Sequence, residues 1–402
     1  MFKKISIISI LNILTQIIAL AGFTITAKFY GLSNIGGLLV VSSYTGIISI
    51  ASTGYLEQLF FVEKRSNVRR LTFILIFYIL LFTLFISFFF LKLLSVDYIL
   101  FILVNIFSTG LIKLVSTWNI SEDRIIFVSH SKLIFAPFIP VISYLLYFFN
   151  GSSESGLILV YSISNFIFGI IFTLISFKNK SISFYFSDFR KLSYLFSIQK
   201  RYFNFIKFSL TGEFMRTAAF KAPTIVLENY FGKEIAGLYG IANQILLLPI
   251  TTIIGAISQV YIHKLSTIIQ DKKQSIILSL NFLKPIVGIS ILIILFILFL
   301  GDFIISLLFS DDFSELYSVV LILLPYSLSI LIASPFLTIF TITERQSYLF
   351  KLKLKIFLIS IVSFYLAIIM NDFKLGLLIF SVNLFIIYIV YTFLAFRQLK
   401  KY

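Results

Sequence analysis

The chain contains no cysteine, and this absence removes a whole class of chemistry. Among its 402 residues there is nothing that could form a disulfide bond, a thiolate nucleophile or a thiolate metal site. Histidine is nearly as scarce, because His130 and His263 are the only two and neither has companion ligands at metal-binding spacing. The sequence also has no HExxH motif, nucleophile elbow or paired carboxylates. We therefore expect no metal centre, and we predict that the protein is not an enzyme.

Charged residues are scarce as well. They make up 12% of the chain, whereas hydrophobic residues make up 59%. Soluble globular domains carry about 25% charged residues, so this composition lies far outside their range. Apolar runs of about 20 residues, long enough to cross roughly 30 Å of hydrocarbon, recur along the chain. These runs are continuous rather than alternating, and they predict an all-α polytopic membrane protein.

The few charges are unevenly placed. The formal net charge of +16 could suit nucleic acid, but Lys and Arg cluster in short segments between apolar runs, as expected of cytoplasmic loops. We therefore expect no nucleic-acid partner. The intervening loops are acidic instead, which predicts an even number of spans with both termini in the cytoplasm. Twelve spans fit, near 5–29, 35–62, 71–94, 98–118, 125–149, 156–177, 207–231, 238–262, 276–300, 318–343, 354–370 and 375–396.

One long basic and aromatic segment divides these spans into two sets of six. We predict an N-terminal six-helix lobe at 1–177, a cytoplasmic linker at 178–206 and a C-terminal six-helix lobe at 207–402. An amphipathic linker lying on the inner membrane surface fits the composition of this segment. An ordinary loop with a frayed helix fits it nearly as well.

The two halves echo each other at an offset of 201 residues. YGLSNIGG at 30–37 aligns with FGKEIAGL at 231–238. Because six spans, an even number, precede the second half, both halves have the same orientation, which predicts a parallel repeat around a central cavity. The residue pairs at this offset are Gly31 with Gly232, Gly36 with Gly237, Gly54 with Gly255, and Gln58 with Gln259.

The stretch GEFMRTAAFKAPTIVLENYFG at 212–232 carries ionisable groups inside a predicted span. A charge at the centre of a spanning helix costs roughly 2.5–3.5 kcal/mol on insertion scales, so such residues face protein or water. Glu213, Arg216 and Lys221 fall within an arc of about 140° at 100° per residue. Either Glu213 and Arg216 pair along the helix, or these groups line a path for an anion. Pro223 is expected to kink the same helix.

Three further charges fall in other predicted spans. Lys28 and Lys113 either add to a cationic lumen or extend to a membrane surface. Glu57 is the main remaining acidic candidate, as a site for a coupling H⁺ or Na⁺ or as a partner for one of the cations. The sequence leaves these alternatives open.

The segment 223–266 carries an aromatic–Gly turn, AGLYG, an Asn-Gln pair, a mid-helix Pro249 and a basic end. In these features, and in AKFYG and EKRS of the first half, the chain resembles bacterial polysaccharide-unit flippases of the Wzx, or O-antigen translocase, type. That family shares a wider superfamily with multidrug and toxin extruders (MATE) and lipid II flippases. The resemblance implies a MATE-like fold with two six-helix lobes around a central cavity in the bacterial inner membrane.

The resemblance also implies a substrate, an undecaprenyl-pyrophosphate-linked oligosaccharide that is moved from the cytoplasmic to the periplasmic leaflet. From the placement of the charges we hypothesise transport by alternating access, with Arg216 and Lys221 holding the pyrophosphate or acidic sugars. Membrane lipids and polysaccharide polymerase machinery would be partners, and no cofactor is expected beyond a candidate coupling H⁺ or Na⁺. The expected compliant points are the glycines of the two aligned turns together with two prolines, namely Gly31, Gly36, Gly232, Gly237, Pro223 and Pro249.

Two other functions remain open at this point. A MATE-type exporter of small molecules would have the same fold, although exporters of cations tend to place carboxylates in the lumen. A multispan O-antigen polymerase would have a similar hydropathy, but such enzymes carry large external loops. The longest external connection predicted for this chain, 301–317, is short and acidic.

Overall fold

The computed structural model describes residues 2–61, 65–90, 96–178, 200–309 and 313–401. These ranges are almost entirely helical and contain no β-strand, as predicted. A 3₁₀ helix, Leu56–Phe61, lies between the first two α-helices. In chain order the α-helices are α1 Phe2–Ser52, α2 Arg65–Phe90, α3 Val96–Ser121, α4 Ile125–Phe135, α5 Phe138–Asn150, α6 Glu154–Lys178, α7 Phe203–Phe231, α8 Lys233–Ile268, α9 Lys272–Leu308, α10 Leu316–Ile342, α11 Gln346–Met370 and α12 Phe373–Lys401.

Nine segments of the described residues are long and apolar enough to cross a membrane. The first, Ile7–Ser52, is counted once although the backbone bends at Gly31, where φ is 77° and ψ is 169°. Helix α2 has a shorter apolar stretch, Leu71–Ser87, and α7 carries several charges within its length. When the two arms of α1 are taken separately and these two helices are added, the segments match the twelve predicted spans.

Two local predictions differ in detail from the structure. The span predicted near 35–62 ends as an α-helix at Ser52, because Gly54 and Tyr55 have left-handed φ values of 58° and 61°. The span predicted at 125–149 is two helices, α4 and α5, with Pro137 capping the second. Pro223 lies inside α7, which continues to Phe231, so the kink expected there stays a prediction.

The described contacts group the chain into two compact units. Unit 1 comprises Met1–Gly22 and Gly37–Ile225, and unit 2 comprises Phe23–Gly36 and Val226–Tyr402. These bounds differ from the predicted lobes because residues 23–36 pack with the second unit and residues 207–225 with the first. Most of the predicted linker, 179–199, lies outside the described residues, so its interfacial position stays a prediction.

In unit 1, side-chain contacts show which helix ends lie together, and they agree with spans that alternate in direction as predicted. The Tyr98 hydroxyl donates to Glu154 Oε1 at 2.6 Å, and the Glu154 side chain abuts Gly37. The starts of α3, of α6 and of the second arm of α1 therefore lie at the same end. At the opposite end, Trp118 packs edge-on against Phe177 with ring centroids 5.4 Å apart. These two side chains belong to a buried cluster with the 3₁₀ helix and the first turns of α2.

Helices α3 and α6 run parallel with a fixed register. Asn105 donates to the Ser162 hydroxyl at 2.6 Å, and Asn119 donates to the Ser176 hydroxyl at 3.0 Å. Both pairs are buried, and in each pair the two residues are 57 positions apart in the sequence. Asn105 and Asn119 are fourteen residues apart, so the register is constant over four helical turns at a heptad spacing. Interhelical hydrogen bonds of this kind stabilise membrane bundles by about 0.6 kcal/mol each on average, and they fix which faces meet.

Unit 2 has its core around α10, which packs against α8 and α12. Tyr261, Tyr326 and Phe336 are fully buried there, and the Tyr261 hydroxyl lies 2.7 Å from Ser279 Oγ. The outward faces are apolar instead, since Phe299 is 80% exposed and Phe393 is 78% exposed. Faces of this kind are stable in contact with lipid rather than water, so the chain is a multi-pass membrane protein.

Candidate functional site

The charged face of α7 belongs to unit 1, where Lys221 contacts Gly46 of α1. Arg216 and Glu213 form the pair that the sequence offered as one alternative, because three residues place them on neighbouring turns. Arg216 Nε lies 3.0 Å and 3.2 Å from the two Glu213 oxygens, and Nη2 also contacts Oε1. The Arg216 side chain is still 48% exposed, against 19% for Glu213. The guanidinium is therefore neutralised locally yet accessible to a ligand.

Lys221 has a different environment from Arg216. It lies five residues further along α7, about 7.5 Å along the helix axis at 1.5 Å per residue. Its side chain is half-buried and packs on Gly46, whose added Cβ would lie 3.6 Å from Lys221 Cε. Among the described residues Lys221 forms no ion pair or hydrogen bond. A half-buried ammonium without a carboxylate is a stronger candidate for binding an anion than one that is already paired.

The structure pairs Lys113 with Glu57. Lys113 Nζ lies 2.7 Å from Glu57 Oε1, with Glu57 fully buried and Lys113 34% exposed. Neither carboxylate oxygen of Glu57 has a hydrogen bond of good geometry within the described ranges. Lys113 therefore supplies the compensating charge for this carboxylate, one of the two roles that the sequence left open for Glu57. Its role as a coupling-ion site stays a prediction.

Tyr55 connects the two ion pairs. The Lys113 ammonium lies 5.1 Å from the centre of the Tyr55 ring, in cation–π geometry. The Tyr55 hydroxyl is partly buried and lies within electrostatic range of Glu213, Glu57 and Arg216. The described part of unit 1 thus brings four of the predicted charged residues around one aromatic side chain. That side chain was not predicted, because nothing in the sequence distinguishes Tyr55 from the other tyrosines.

The remaining cation, Lys28, belongs to the other compact unit. It is exposed on the first arm of α1, three residues before the bend at Gly31. Because it lies in unit 2, its position relative to the unit 1 charges is not described, and its place in a cationic lumen stays a prediction. Pro249 likewise lies exposed within α8, which runs unbroken from Lys233 to Ile268.

The glycines of the two aligned segments adopt matching conformations. Gly31 has φ 77° and ψ 169°, and Gly232 has φ 93° and ψ 167°, values that favour glycine over residues with a Cβ. Within unit 2 the two segments also touch. A Cβ on Gly36 would lie 1.9 Å from the Lys233 carbonyl oxygen, and one on Gly237 would lie 2.7 Å from the Leu32 carbonyl oxygen. Their role as hinges stays a prediction, but their role in close packing is evident.

The comparisons with known proteins agree with this architecture. A family described as "Polysaccharide biosynthesis protein" matches residues 68–318. The capsular polysaccharide biosynthesis protein CapF of Staphylococcus aureus is 32% identical over 148 residues, which cover 36% of this chain and 37% of CapF. The aligned region thus spans little more than a third of that relative.

Similar solved structures extend over nearly the whole chain. The lipid II flippase MurJ, in an inward closed conformation, superposes with a TM-score of 0.71 at 15% identity, covering 98% of this chain and 89% of MurJ. An inward-facing MATE multidrug transporter of the MOP superfamily gives 0.65 at 11% identity, with 98% and 96% covered. A MOP superfamily transporter from Pyrococcus furiosus, whose binding pocket is described as having reverse polarity, gives 0.62 at 11% identity, with 99% and 96% covered.

At these identities the superpositions establish the fold alone, and they confirm the predicted MATE-like architecture. The family match carries the assignment further, because it covers more than half of the sequence and includes the paired Lys113 and the charged face of α7. The chain therefore belongs to the polysaccharide biosynthesis protein family.

Proposed function

We propose that this protein is a flippase that moves a lipid-linked oligosaccharide across the bacterial cytoplasmic membrane for the assembly of a surface polysaccharide. The lipid carrier would be undecaprenyl pyrophosphate, and the direction would be outward. Support comes from membership of the polysaccharide family together with a fold shared with MurJ, whose name describes it as a lipid II flippase. On this proposal the protein is a transporter, both termini are cytoplasmic, and a polymerase uses the delivered units.

The observation that carries the proposal is Lys221, which forms no ion pair with any residue that the structure describes. Intramembrane cations face protein or water rather than lipid, and an unpaired one attracts an anion. A pyrophosphate offers oxygens to an ammonium as a point charge and to a guanidinium through parallel hydrogen bonds. Lys221 is therefore the primary anion contact in this proposal. Arg216 is a second contact, since its exposed fraction leaves room for a ligand beside Glu213.

The transport cycle we propose is alternating access with these cations as the fixed contact. The carrier's polyprenyl chain would stay in the bilayer while its pyrophosphate binds at Lys221 and Arg216. The sugars would extend along the protein interior. H⁺ or Na⁺ is the candidate coupling ion, with Glu57 as its candidate site.

The test is genetic complementation in the native bacterium. The gene is deleted and then restored as wild type, as Lys221→Met, as Arg216→Ala, or as Lys207→Met. Lys207 is the matched control, because it is an exposed lysine near the start of the same helix. Surface polysaccharide and the pool of complete lipid-linked oligosaccharide are measured together.

The proposal expects the deletion to lose surface glycan and to accumulate the complete lipid-linked unit. Lys221→Met is expected to leave that defect, Arg216→Ala to relieve it partly, and Lys207→Met to restore export fully, at equal expression. Normal surface glycan in the deletion strain, with altered resistance to small cations, would refute the flippase. That result would favour a MATE-type exporter, for which Glu57 and Glu213 would be the relevant carboxylates.

A further inference from the structure

The regular helix of the second arm of α1 breaks off beside Glu57 and Lys113. The α-helix ends at Ser52, and the Gly54 amide donates to the Ala51 carbonyl at 3.0 Å. Gly54 and Tyr55 then adopt left-handed φ values before the 3₁₀ helix Leu56–Phe61 begins. These residues follow the end of the candidate span Ile7–Ser52, where the backbone is no longer α-helical.

Tyr55 is the unusual residue of this interruption. A positive φ of 61° is normal for glycine but costs energy for a bulky aromatic residue, and such outliers concentrate at functional sites. The side chain is half-buried, and its hydroxyl makes no hydrogen bond to the residues that the structure describes. The neighbouring Arg216 is 48% exposed, and a guanidinium does not point into lipid, so this face is open to water.

Among the residues that the structure describes, the charges near Tyr55 form two ion pairs. Glu57 neutralises Lys113, and Glu213 neutralises Arg216. An anion that enters here meets two carboxylates as well as two cations. A neutral donor therefore adds attraction without a further charge, and a hydrogen bond to a charged acceptor is stronger than one between neutral groups. In this cluster Tyr55 has such a donor, and its hydroxyl makes no hydrogen bond to the part of the chain that the structure describes.

We propose that Tyr55 is a substrate-contact residue, whose hydroxyl donates a hydrogen bond to a phosphate oxygen of the transported lipid while its ring holds the Lys113 ammonium in place. This inference rests on the proposed function and identifies a residue of the same site. It assigns the interruption of α1 a role, since the left-handed turn aims the phenol at the cluster. The substrate class is a phosphate-bearing lipid, read through its anionic group.

The experiment measures binding to the purified full-length protein in nanodiscs by calorimetry. The probes are undecaprenyl pyrophosphate, uncharged undecaprenol and inorganic pyrophosphate. The proteins are wild type, Tyr55→Phe, Tyr55→Leu and Tyr230→Phe. Tyr55→Phe removes the hydroxyl and keeps the ring. Tyr230 is the matched control, because it is an exposed tyrosine on α7 outside the cluster.

Wild type is expected to bind undecaprenyl pyrophosphate more tightly than undecaprenol. Tyr55→Phe is expected to weaken binding of the pyrophosphate lipid about tenfold, the usual effect of losing one hydrogen bond to a charged group. Tyr55→Leu should weaken it further, because Lys113 also loses the ring. Tyr230→Phe should match wild type, and undecaprenol should bind all four proteins alike. If Tyr55→Phe also weakens the binding of inorganic pyrophosphate, the hydroxyl recognises the phosphate group by itself. If Tyr55→Phe weakens only the binding of the lipid, the polyprenyl carrier is needed to place the phosphate at Tyr55.

Two negative results are distinct. If wild type distinguishes the two lipids but Tyr55→Phe binds as wild type does, the hydroxyl contact is refuted and the proposed function stands. If wild type binds undecaprenyl pyrophosphate no better than undecaprenol, the anion site fails, and both proposals fall with it.

Discussion

Removing the two partners of the buried Glu57–Lys113 pair should have unequal effects on stability. Lys113→Met leaves the Glu57 carboxylate fully buried, with no other cation recorded on it in the described structure. Breaking a buried pair in this way costs about 3–5 kcal/mol. Because Lys113 is 34% exposed, water screens part of that interaction, and we expect about 3 kcal/mol, the low end of the range.

Glu57→Met is expected to be milder. It leaves an ammonium that is already one third exposed and that keeps its contact with the Tyr55 ring, so we expect a loss of about 1 kcal/mol. The double variant Glu57→Met with Lys113→Met removes both charges together. Replacing a buried ion pair by apolar side chains is often close to neutral, so its stability should approach that of wild type.

The assay is SDS-driven unfolding in mixed micelles, with each variant compared with wild type under identical conditions. Lys374→Met and Glu315→Met provide the control pair, since their 3.1 Å bridge joins side chains that are 42% and 50% exposed. Each control should change stability by about 0.5 kcal/mol or less. Two results would show that Glu57 and Lys113 do not form a buried pair with unequal partners. One is that Glu57→Met destabilises as much as Lys113→Met, and the other is that the double variant loses the sum of the two single losses.

Other substitutions test the packing and the helix ends, all by the same unfolding assay. Gly36→Ala and Gly237→Ala should each lower the free energy of unfolding by about 1–3 kcal/mol, because the new methyl group meets a carbonyl oxygen. Gly255→Ala should be neutral or slightly stabilising, because nothing lies within 4 Å of its added Cβ. Equal effects at Gly36 and Gly255 would contradict the close approach. Asn105→Ala and Asn119→Ala should each destabilise by about 0.6 kcal/mol, because each removes one interhelical hydrogen bond, to Ser162 and to Ser176. No loss at either site would argue against the shared register. Asp271 caps α9 by accepting from the Gln274 amide at 3.0 Å, so Asp271→Ala should cost about 1 kcal/mol and Asp271→Asn much less; equal losses would exclude the cap as the cause.

The sequence could predict those parts of the molecule that depend on local chemistry. Long apolar runs become helices in a membrane whatever else surrounds them, because the backbone must satisfy its own hydrogen bonds there. The Glu213–Arg216 pair is also local, since a spacing of three places both side chains on one helix face. The break at Gly31 follows from glycine beside a turn-forming sequence, and the structure places it there.

Contacts between distant segments could not be predicted in the same way. Glu57 and Lys113 are separated by 56 positions in the sequence, and their pairing depends on how the 3₁₀ helix packs against α3. The left-handed backbone at Tyr55 is equally hidden, because no residue type other than glycine signals a positive φ reliably. The register of α3 against α6 corresponds to a pattern in the sequence, since both Asn–Ser pairs have the same offset. That pattern can be interpreted only once the two helices are known to pack.

The glycines that recur at an offset of 201 residues show how a repeated sequence pattern can follow from backbone conformation and close packing. Gly31 and Gly232 share a backbone conformation that excludes most side chains, so each copy of the segment needs glycine for its own bend. Gly36 and Gly237 must be glycine for a different reason, which is that the two residues lie too close together for either to carry a Cβ. A Cβ on Gly36 would lie 3.3 Å from the Gly237 amide nitrogen, and a Cβ on Gly237 would lie 3.4 Å from the Gly36 Cα. The relation is reciprocal, as in contacts between symmetry-related copies. Substituting either glycine should therefore disturb both segments, and the offset of 201 residues records a packing requirement that acts on the two copies together.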